Sequence, residues 1–410
     1  MRRSPEGSKG AALGAATRPA VEIPQLVTID VTVRVTRGLE WVAADEIATC
    51  LPAGHVRLGR REIRFTLPEL QAAVGALRTV DDAFVRVGAV RGVGKDRRAP
   101  AVVGAGVSRL DLAGAVTGIR AFRELPDRPA FDVVASLDGD RRFNRYDLED
   151  SLGAALSLVI DGRYGSRRDG PPPPSDLTVR VVVAGEGAEI MVRLGARPLH
   201  RRPWKTNTAA ATLHPPAAAA LLRMTGPRAR IVDPFCGDGT IPIEAGATAS
   251  PVPAAGSDLD GRRLSNARAN AGRAGLAGLD LPWVRADAAR APWHPGPDAA
   301  CVTNPPWNRA VPGRGRLAAG LAPAWVESRR LLGPTGTLAL IVDAGIDLNA
   351  ELEPAGWQPV LVQQARLAGR LCRLVVAVAG DGPGQDPVSQ ALRSWRQRAV
   401  DAGLIAGNDF

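Results

Sequence analysis

Two short segments carry side chains and spacings that could do chemistry: Asp233-Pro-Phe-Cys-Gly-Asp-Gly-Thr240 and, about sixty positions later, Asn304-Pro-Pro-Trp307. The first reads as a strand, a glycine turn and a helix. In an open α/β sheet, ligands bind beyond the carboxyl ends of the strands, and Asp233 ends one. Gly237 and Gly239 let the backbone approach a ligand, and Thr240 opens the helix behind them. No Gly-Lys-Ser/Thr follows, so the turn is not a phosphate-binding loop. Two further acids end the next two strands. Asp258, in Ala255-Gly-Ser-Asp258, lies about twenty positions past the turn, the spacing at which an acid grips two ribose hydroxyls. Asp287, in Arg285-Ala-Asp-Ala288, is placed to accept from an adenine amine. Asp238 and Asp260 are expected at the surface.

The second segment suits a flat base bearing an amine. Such an amine is a poor nucleophile because its lone pair is delocalised into the ring. Two acceptors on its hydrogens turn that lone pair outward, and the Asn304 amide oxygen and the Pro305 carbonyl can supply them, with Pro305 and Pro306 fixing the angle. Trp307 can stack on the base, worth ~1–3 kcal/mol. The chemistry this implies is methyl transfer from S-adenosylmethionine to an exocyclic nitrogen of a nucleobase. It requires no metal, covalent nucleophile or strong general base.

The elements that must position these residues follow from periodicity. From residue 228 onward, strands at 229–233, 254–258, 283–286, 299–303, 337–342, 358–364 and 373–379 alternate with helices near 241–248, 262–274 and 319–332. That rhythm implies a mostly parallel sheet covered on both faces. Upstream, strands at 27–35, 61–67 and 82–90 with helices at 39–51 and 68–77 form a small α+β unit. The polar, glycine-bearing stretch 91–100 marks a boundary. Beyond it come a strand at 131–137, a helix capped by Asn144 or Asp147 and running to 158, a Pro-rich loop at 170–174, and strands at 177–183 and 189–194. A helical tail over 387–406 is expected to pack on the catalytic domain. The expected division is a basic tail (1–25), a ferredoxin-like unit (26–95), a second α+β unit (96–200), the catalytic domain (201–380) and a helical extension (381–410).

Composition narrows the class. The chain has 410 residues, 45% of them hydrophobic, and a formal charge of +10. The length suits two or three domains, and the basic balance points to a polyanionic partner such as nucleic acid. Only Lys9, Lys95 and Lys205 are lysines, so that charge is nearly all arginine. Cys50, Cys236, Cys301 and Cys372 form no CxxC pair, which argues against a disulfide framework or zinc site and fits a reducing cytoplasm. No apolar run approaches the ~20 residues that span a bilayer, so no membrane partner is expected. The opening Met-Arg-Arg-Ser-Pro-Glu-Gly lacks the apolar core of a secretory signal. The four histidines have no metal-ligand spacing; His200 and His214 read as packing or junction residues.

The motifs also resemble a known family. Asp233–Thr240 is similar to the Asp-Pro-Phe-Cys-Gly-Ser-Gly-Thr motif of class I methyltransferases, and Asn304–Trp307 to their Asn-Pro-Pro-aromatic motif. The stretch 131–137, with Arg142-Phe-Asn-Arg-Tyr-Asp-Leu-Glu149, 177–183 and Gly195-Ala-Arg-Pro-Leu-His-Arg-Arg202, resembles a THUMP domain running into its catalytic partner. Thr36-Arg-Gly-Leu-Glu40 with 61–65 is similar to the ferredoxin-like unit before it. The best match is the THUMP methyltransferase group that makes N2-methylguanosine in the acceptor stem of tRNA.

The resemblance implies an α/β, Rossmann-like catalytic domain with a seven-stranded, mostly parallel sheet, preceded by α+β ferredoxin-like and THUMP domains. It implies that Asp233, Phe235, Cys236, Gly237, Gly239, Thr240, Asp258, Leu259, Asp287, Ala288 and Asn304 meet S-adenosylmethionine, with Thr212, Leu213 and His214 at its methionine end. Asn304, Pro305, Pro306 and Trp307 would hold the base. The chain departs from the pattern at Asp238, which replaces serine, at Pro203-Trp-Lys205, at Leu213-His-Pro-Pro216, and in the basic stretch Asn308-Arg-Ala-Val-Pro-Gly-Arg-Gly-Arg316. Arg197, Arg201, Arg202 and Lys205 at the junction, with Arg309, Arg314 and Arg316 at the mouth, are candidate phosphate contacts. The expectation is a cytoplasmic, monomeric tRNA-modifying enzyme. Ribosomal guanine-N2 or adenine-N6 methylation, or a non-catalytic RNA-binding factor retaining the cofactor pocket, stay open.

Overall fold

The computed structural model describes residues 28–209, 212–278, 281–294, 298–307, 315–380 and 386–407. The expected basic tail (1–25), Arg309 and Arg314 lie outside the described residues. Among the described residues, fifteen strands fall into two sheets. The first holds β1 (Ile29–Arg34), β2 (Gly54–Gly59), β3 (Glu62–Leu67), β4 (Asp82–Arg91), β5 (Ala130–Leu137), β6 (Arg163–Tyr164), β7 (Leu177–Ala184) and β8 (Gly187–Arg193), in the order β2-β3-β1-β4-β8-β7-β5-β6. Antiparallel pairing of β4 with β8 joins the strands of both expected amino-terminal units into one continuous sheet. The period of two in β1 and β7 buries Val31, Val33, Val179, Val181 and Val183 against the covering helices.

Asn144 is the residue that caps the helix Arg145–Ile160, in a reciprocal box with Asp147. The helices Ala99–Val107 and Leu112–Phe122 begin inside or just beyond the stretch read as a boundary. No described helix is long and apolar enough by itself to cross a membrane.

The second sheet positions the site. It contains β9 (Arg230–Asp233), β10 (Ala254–Asp258), β11 (Trp283–Arg285), β12 (Ala299–Thr303), β13 (Thr337–Asp343), β14 (Trp357–Leu367) and β15 (Arg370–Ala379). Their order is β11-β10-β9-β12-β13-β15-β14. The first five run parallel, and β15 is antiparallel to both neighbours. Chain order reverses at β9: β10 lies on one side of it and β12 on the other. The loops after β9 and β12 therefore open side by side on one edge, at the topological switch point where such sheets bind ligands. The helix Pro215–Met224, absent from the periodicity reading, feeds into β9.

One packing expectation is corrected. The tail helix, Gln390–Asp401, packs on the helix Glu40–Cys50 of the first sheet rather than mainly on the catalytic domain. Its buried Leu392 and Ala399, with Val388 just before it, join that core. The carboxyl end of the chain thereby clasps the amino-terminal layer.

Candidate active site

A cleft of about 1890 Å³ opens on the carboxyl edge of the second sheet and is lined by residues of both expected motifs. The two motifs are tied at their roots. The Thr303 hydroxyl, at the end of β12, donates to the Asp233 carboxylate at 2.6 Å, and the Phe235 amide donates to the same oxygen at 3.1 Å. Asn304 and the glycine turn thus share one anchor. Burial pushes the Asp233 carboxyl up to about 7, against the opposing pull of those two donors.

Asp258 is held by the amides of Gly237 (3.0 Å) and Asp260 (2.8 Å), which aim it into the cleft; burial raises its pKa. Gly239 has φ +84°, and a Cβ there would stand 2.9 Å from both the Ala267 Cβ and the Trp283 ring. Only glycine fits a left-handed residue pressed on a helix and an indole. Burial also raises the Cys236 thiol far above its ordinary value, so this sulfur packs as a neutral group.

Thr212, Leu213, His214, Phe235, Thr240, Leu259, Ala288, Asn304, Pro305, Pro306 and Trp307 also line the cleft. The Trp307 indole N–H donates to the Ile341 carbonyl at 2.9 Å, which pins the ring to β13. The Asn304 Oδ1 is buried and accepts no hydrogen bond among the described residues. A buried acceptor without a donor costs ~1–3 kcal/mol, and Asn304 lines the cleft, where a ligand can bring such a donor.

Several expectations change. Asp238 is buried, not at the surface: it accepts from the Ala209 amide (2.8 Å) and the Asn266 side chain (3.1 Å), with Arg263 at 3.7 Å. The helix Gly261–Arg273 packs over the glycine turn and draws this residue inward. Asp260 caps that helix and also lines the cleft. The Asp287 carboxylate accepts from the amides of Ala289 (2.9 Å) and Arg316 (3.2 Å) and is not part of the cleft lining, which its neighbours Ala286 and Ala288 supply instead.

Arg202 is 9% exposed and bonded to Glu244 at 2.9 Å, with carbonyls of Leu199 and Arg78 taking its other nitrogens, so it braces the junction and cannot meet a phosphate. The Lys205 ammonium donates to the Leu213 carbonyl and, at 2.9 Å, to the Thr240 hydroxyl. Burial lowers it to about 8, despite nearby Glu244 and Asp238. It buttresses the cofactor loop instead of facing RNA. Arg197, Arg201 and Arg316 are exposed.

No metal was expected, yet distance in the chain hid one cluster. Asp81, His200 and His214 bring three ligand atoms within 4.8 Å of one another. The His200 ring nitrogen Nδ1 lies 3.0 Å from the Asp81 carbonyl, and His214 Nε2 lies 3.5 Å from its carboxylate. Burial, with His200 next, holds His214 down at about 3, so it is neutral. The sequence also gave no sign of Arg37, Arg60, Arg61, Arg366 and Arg370, which line the far side of the same cleft.

The sheet order and the paired loops define a Rossmann-like, class I methyltransferase fold. Residues 202–372 match the family model UPF0020, described as an RMKL-like methyltransferase domain. The tRNA (guanine(6)-N2)-methyltransferase of Thermus thermophilus is 38% identical over 187 residues, covering 45% of this chain and 53% of that protein. The ribosomal RNA large subunit methyltransferase K/L of Magnetococcus marinus is 36% identical over 99 residues, 23% of this chain and 14% of that protein. The chain thus spans about half the length, or less, of these curated relatives. The crystal structure of TrmN from Thermus thermophilus superposes with a TM-score of 0.64 at 27% identity, covering 86% of this chain and 99% of that one.

Proposed function

We propose that this chain is an S-adenosylmethionine-dependent RNA methyltransferase that forms N2-methylguanosine in tRNA, with the acceptor stem as target region. The observation that carries the reading is the unpartnered Asn304 Oδ1, fixed beside the Thr303–Asp233 tie at the cofactor loop. The cradle suits the cofactor: a glycine that tolerates no Cβ and a ribose-competent carboxylate at Asp258. When bound, S-adenosylmethionine supplies an electrophilic methyl group. Asp258 would hold the ribose, Leu259 and Ala288 the adenine, and Thr212, Leu213 and His214 the methionine end. Asn304 Oδ1 and the Pro305 carbonyl would accept hydrogen bonds from the two N–H groups of a guanine amine, directing its lone pair outward, while Trp307 supports the base face; as the methyl leaves the sulfonium, S-adenosylhomocysteine remains and the methylated nitrogen sheds one proton to solvent. The base must leave its stack to reach them.

The relative that acts on guanine N2 of tRNA supports this reading, because its 38% identity spans 187 residues of the chain. The ribosomal relative keeps rRNA as the second reading. Within the same proposal, residues 96–200 are a THUMP-like RNA-binding domain after the ferredoxin-like unit, and the protein works as a cytoplasmic monomer. Purified protein incubated with labelled cofactor and unmodified tRNA, then digested to nucleosides, tests the claim. Label in N2-methylguanosine is expected; label confined to adenosine derivatives, or appearing only with ribosomal RNA, refutes it.

A further inference from the structure

At about 1890 Å³ the cleft is larger than the ~300–1,000 Å³ typical of a small-molecule site. Its two walls differ in charge. The cofactor wall mixes both signs, with Asp233, Asp238, Asp258 and Asp260 set among Arg262, Arg263 and Arg285, and Arg262 and Arg263 lie beside Asp260 and Asp238. The far wall is built largely from outside the methyltransferase sheet: Arg37 follows β1, Arg60 and Arg61 form the turn between β2 and β3, and Arg366 and Arg370 flank the turn between β14 and β15. All five are exposed, and among the described residues none forms an ion pair with a carboxylate.

These arginines stand on a rigid mount. The Glu40 side chain is 1% exposed; one carboxylate oxygen accepts from the Gly38 amide at 2.7 Å and the other from the Arg61 amide at 2.9 Å. A single buried group therefore ties the loop bearing Arg37 to the turn bearing Arg60 and Arg61. The Arg366 amide donates to the Arg37 carbonyl at 3.1 Å, which clamps that loop to the β14–β15 hairpin. The approach is close: a Cβ on Gly38, whose φ is +95°, would lie 2.1 Å from the Gln364 carbonyl.

A row of exposed guanidinium groups on a braced backbone, opposite a wall whose charges are largely paired, makes the far rim the net positive side of the cleft. Phosphates are drawn to the far rim. A row spread over three segments suits consecutive phosphodiesters better than a single anion. We propose that Arg37, Arg60, Arg61, Arg366 and Arg370 form a phosphate-binding rim that grips the RNA strand flanking the target nucleotide, with Glu40 as the positioning residue. This rests on the RNA methyltransferase reading above and adds the surface that holds the substrate beside Asn304.

The test is RNA binding by fluorescence anisotropy over a salt series, using the full chain, a tRNA transcript and a single-stranded oligonucleotide. Each single-strand phosphate contact contributes ~0.7 to the slope of log affinity against log salt. Arg37→Ala/Arg60→Ala/Arg61→Ala should lower the slope by about 2 and weaken binding at least tenfold, with cofactor affinity and melting temperature unchanged. Arg366→Ala/Arg370→Ala should act in the same direction. Glu40→Gln should raise KM for RNA while kcat is retained, and should add little to the triple variant, which separates positioning from general loss of fold. Folded variants with wild-type RNA affinity and salt slope overturn the rim. Because binding is read without methyl transfer, a wild-type protein that labels no RNA would refute the functional reading alone.

Discussion

Asn304→Ala should separate stability from activity. Its Oδ1 is buried without a donor among the described residues. An unsatisfied acceptor of this kind costs ~1–3 kcal/mol, and truncation removes that cost while opening space onto the cleft. The melting temperature should therefore hold or rise by a few degrees, at ~2–4 °C per kcal/mol for a domain of this size. Turnover should move the other way. Losing one preorganised group aimed at the developing charge costs ~10²–10³ in kcat, or about 2.7–4 kcal/mol. Cofactor affinity, measured by calorimetry, should stay within about threefold, because the proposed ribose and adenine contacts, Asp258, Leu259 and Ala288, lie at the ends of β10 and β11. Thermal melting, calorimetry and single-turnover kinetics on one preparation suffice. A variant that keeps turnover within about threefold of wild type, or whose lost turnover matches a large drop in melting temperature, refutes the reasoning.

Asp233 predicts a pH dependence. Its folded carboxyl titrates at about 7 instead of 3.8, so the native state keeps a proton that the unfolded chain releases. That contribution is complete below about pH 4 and is lost as pH rises to about 7; Asp233→Asn should abolish this part of the pH dependence in urea titrations, and an unchanged profile would contradict it. A cationic cofactor should favour the ionised form, so its affinity should rise with pH up to about 7 and then level off. Arg202→Ala should destabilise by ~3–5 kcal/mol, toward the low end, since Arg78 still reaches the fully buried Glu244 at 2.7 Å; a weaker RNA affinity with intact stability would restore Arg202 as a phosphate contact. Gly239→Ala forces a left-handed alanine onto Ala267 and Trp283, and should cost ~1–3 kcal/mol and weaken cofactor binding in calorimetry.

What was legible in the sequence follows from what is local. All seven strands of the catalytic sheet were visible because apolar runs ending in Asp233, Asp258 and Thr303 alternate with helical periods, and the two motifs sit at their ends. β2 was missed because Gly54–Gly59 is half exposed, with only weak alternation. The helices Ala99–Val107 and Leu112–Phe122 were hidden by glycines and by a preceding polar stretch that looked like a linker. Burial of Asp238 and Arg202 depends on partners far away in the chain, Asn266 and Glu244, so composition alone favoured the surface for both. The arginine rim and the Asp81–His200–His214 cluster exist only because the amino-terminal loops dock on the catalytic sheet, which no periodicity reports.

The central claim is spatial: the reactive end of the cofactor and the acceptor groups of Asn304 and Pro305 share one point at the carboxyl edge of β9 and β12. A crystal structure of this protein with S-adenosylhomocysteine tests it most directly. The account predicts ribose hydroxyls on Asp258 and a sulfur turned toward Asn304, with room for a purine against Trp307. A cofactor seated elsewhere, or one whose sulfur points away from Asn304, would contradict it.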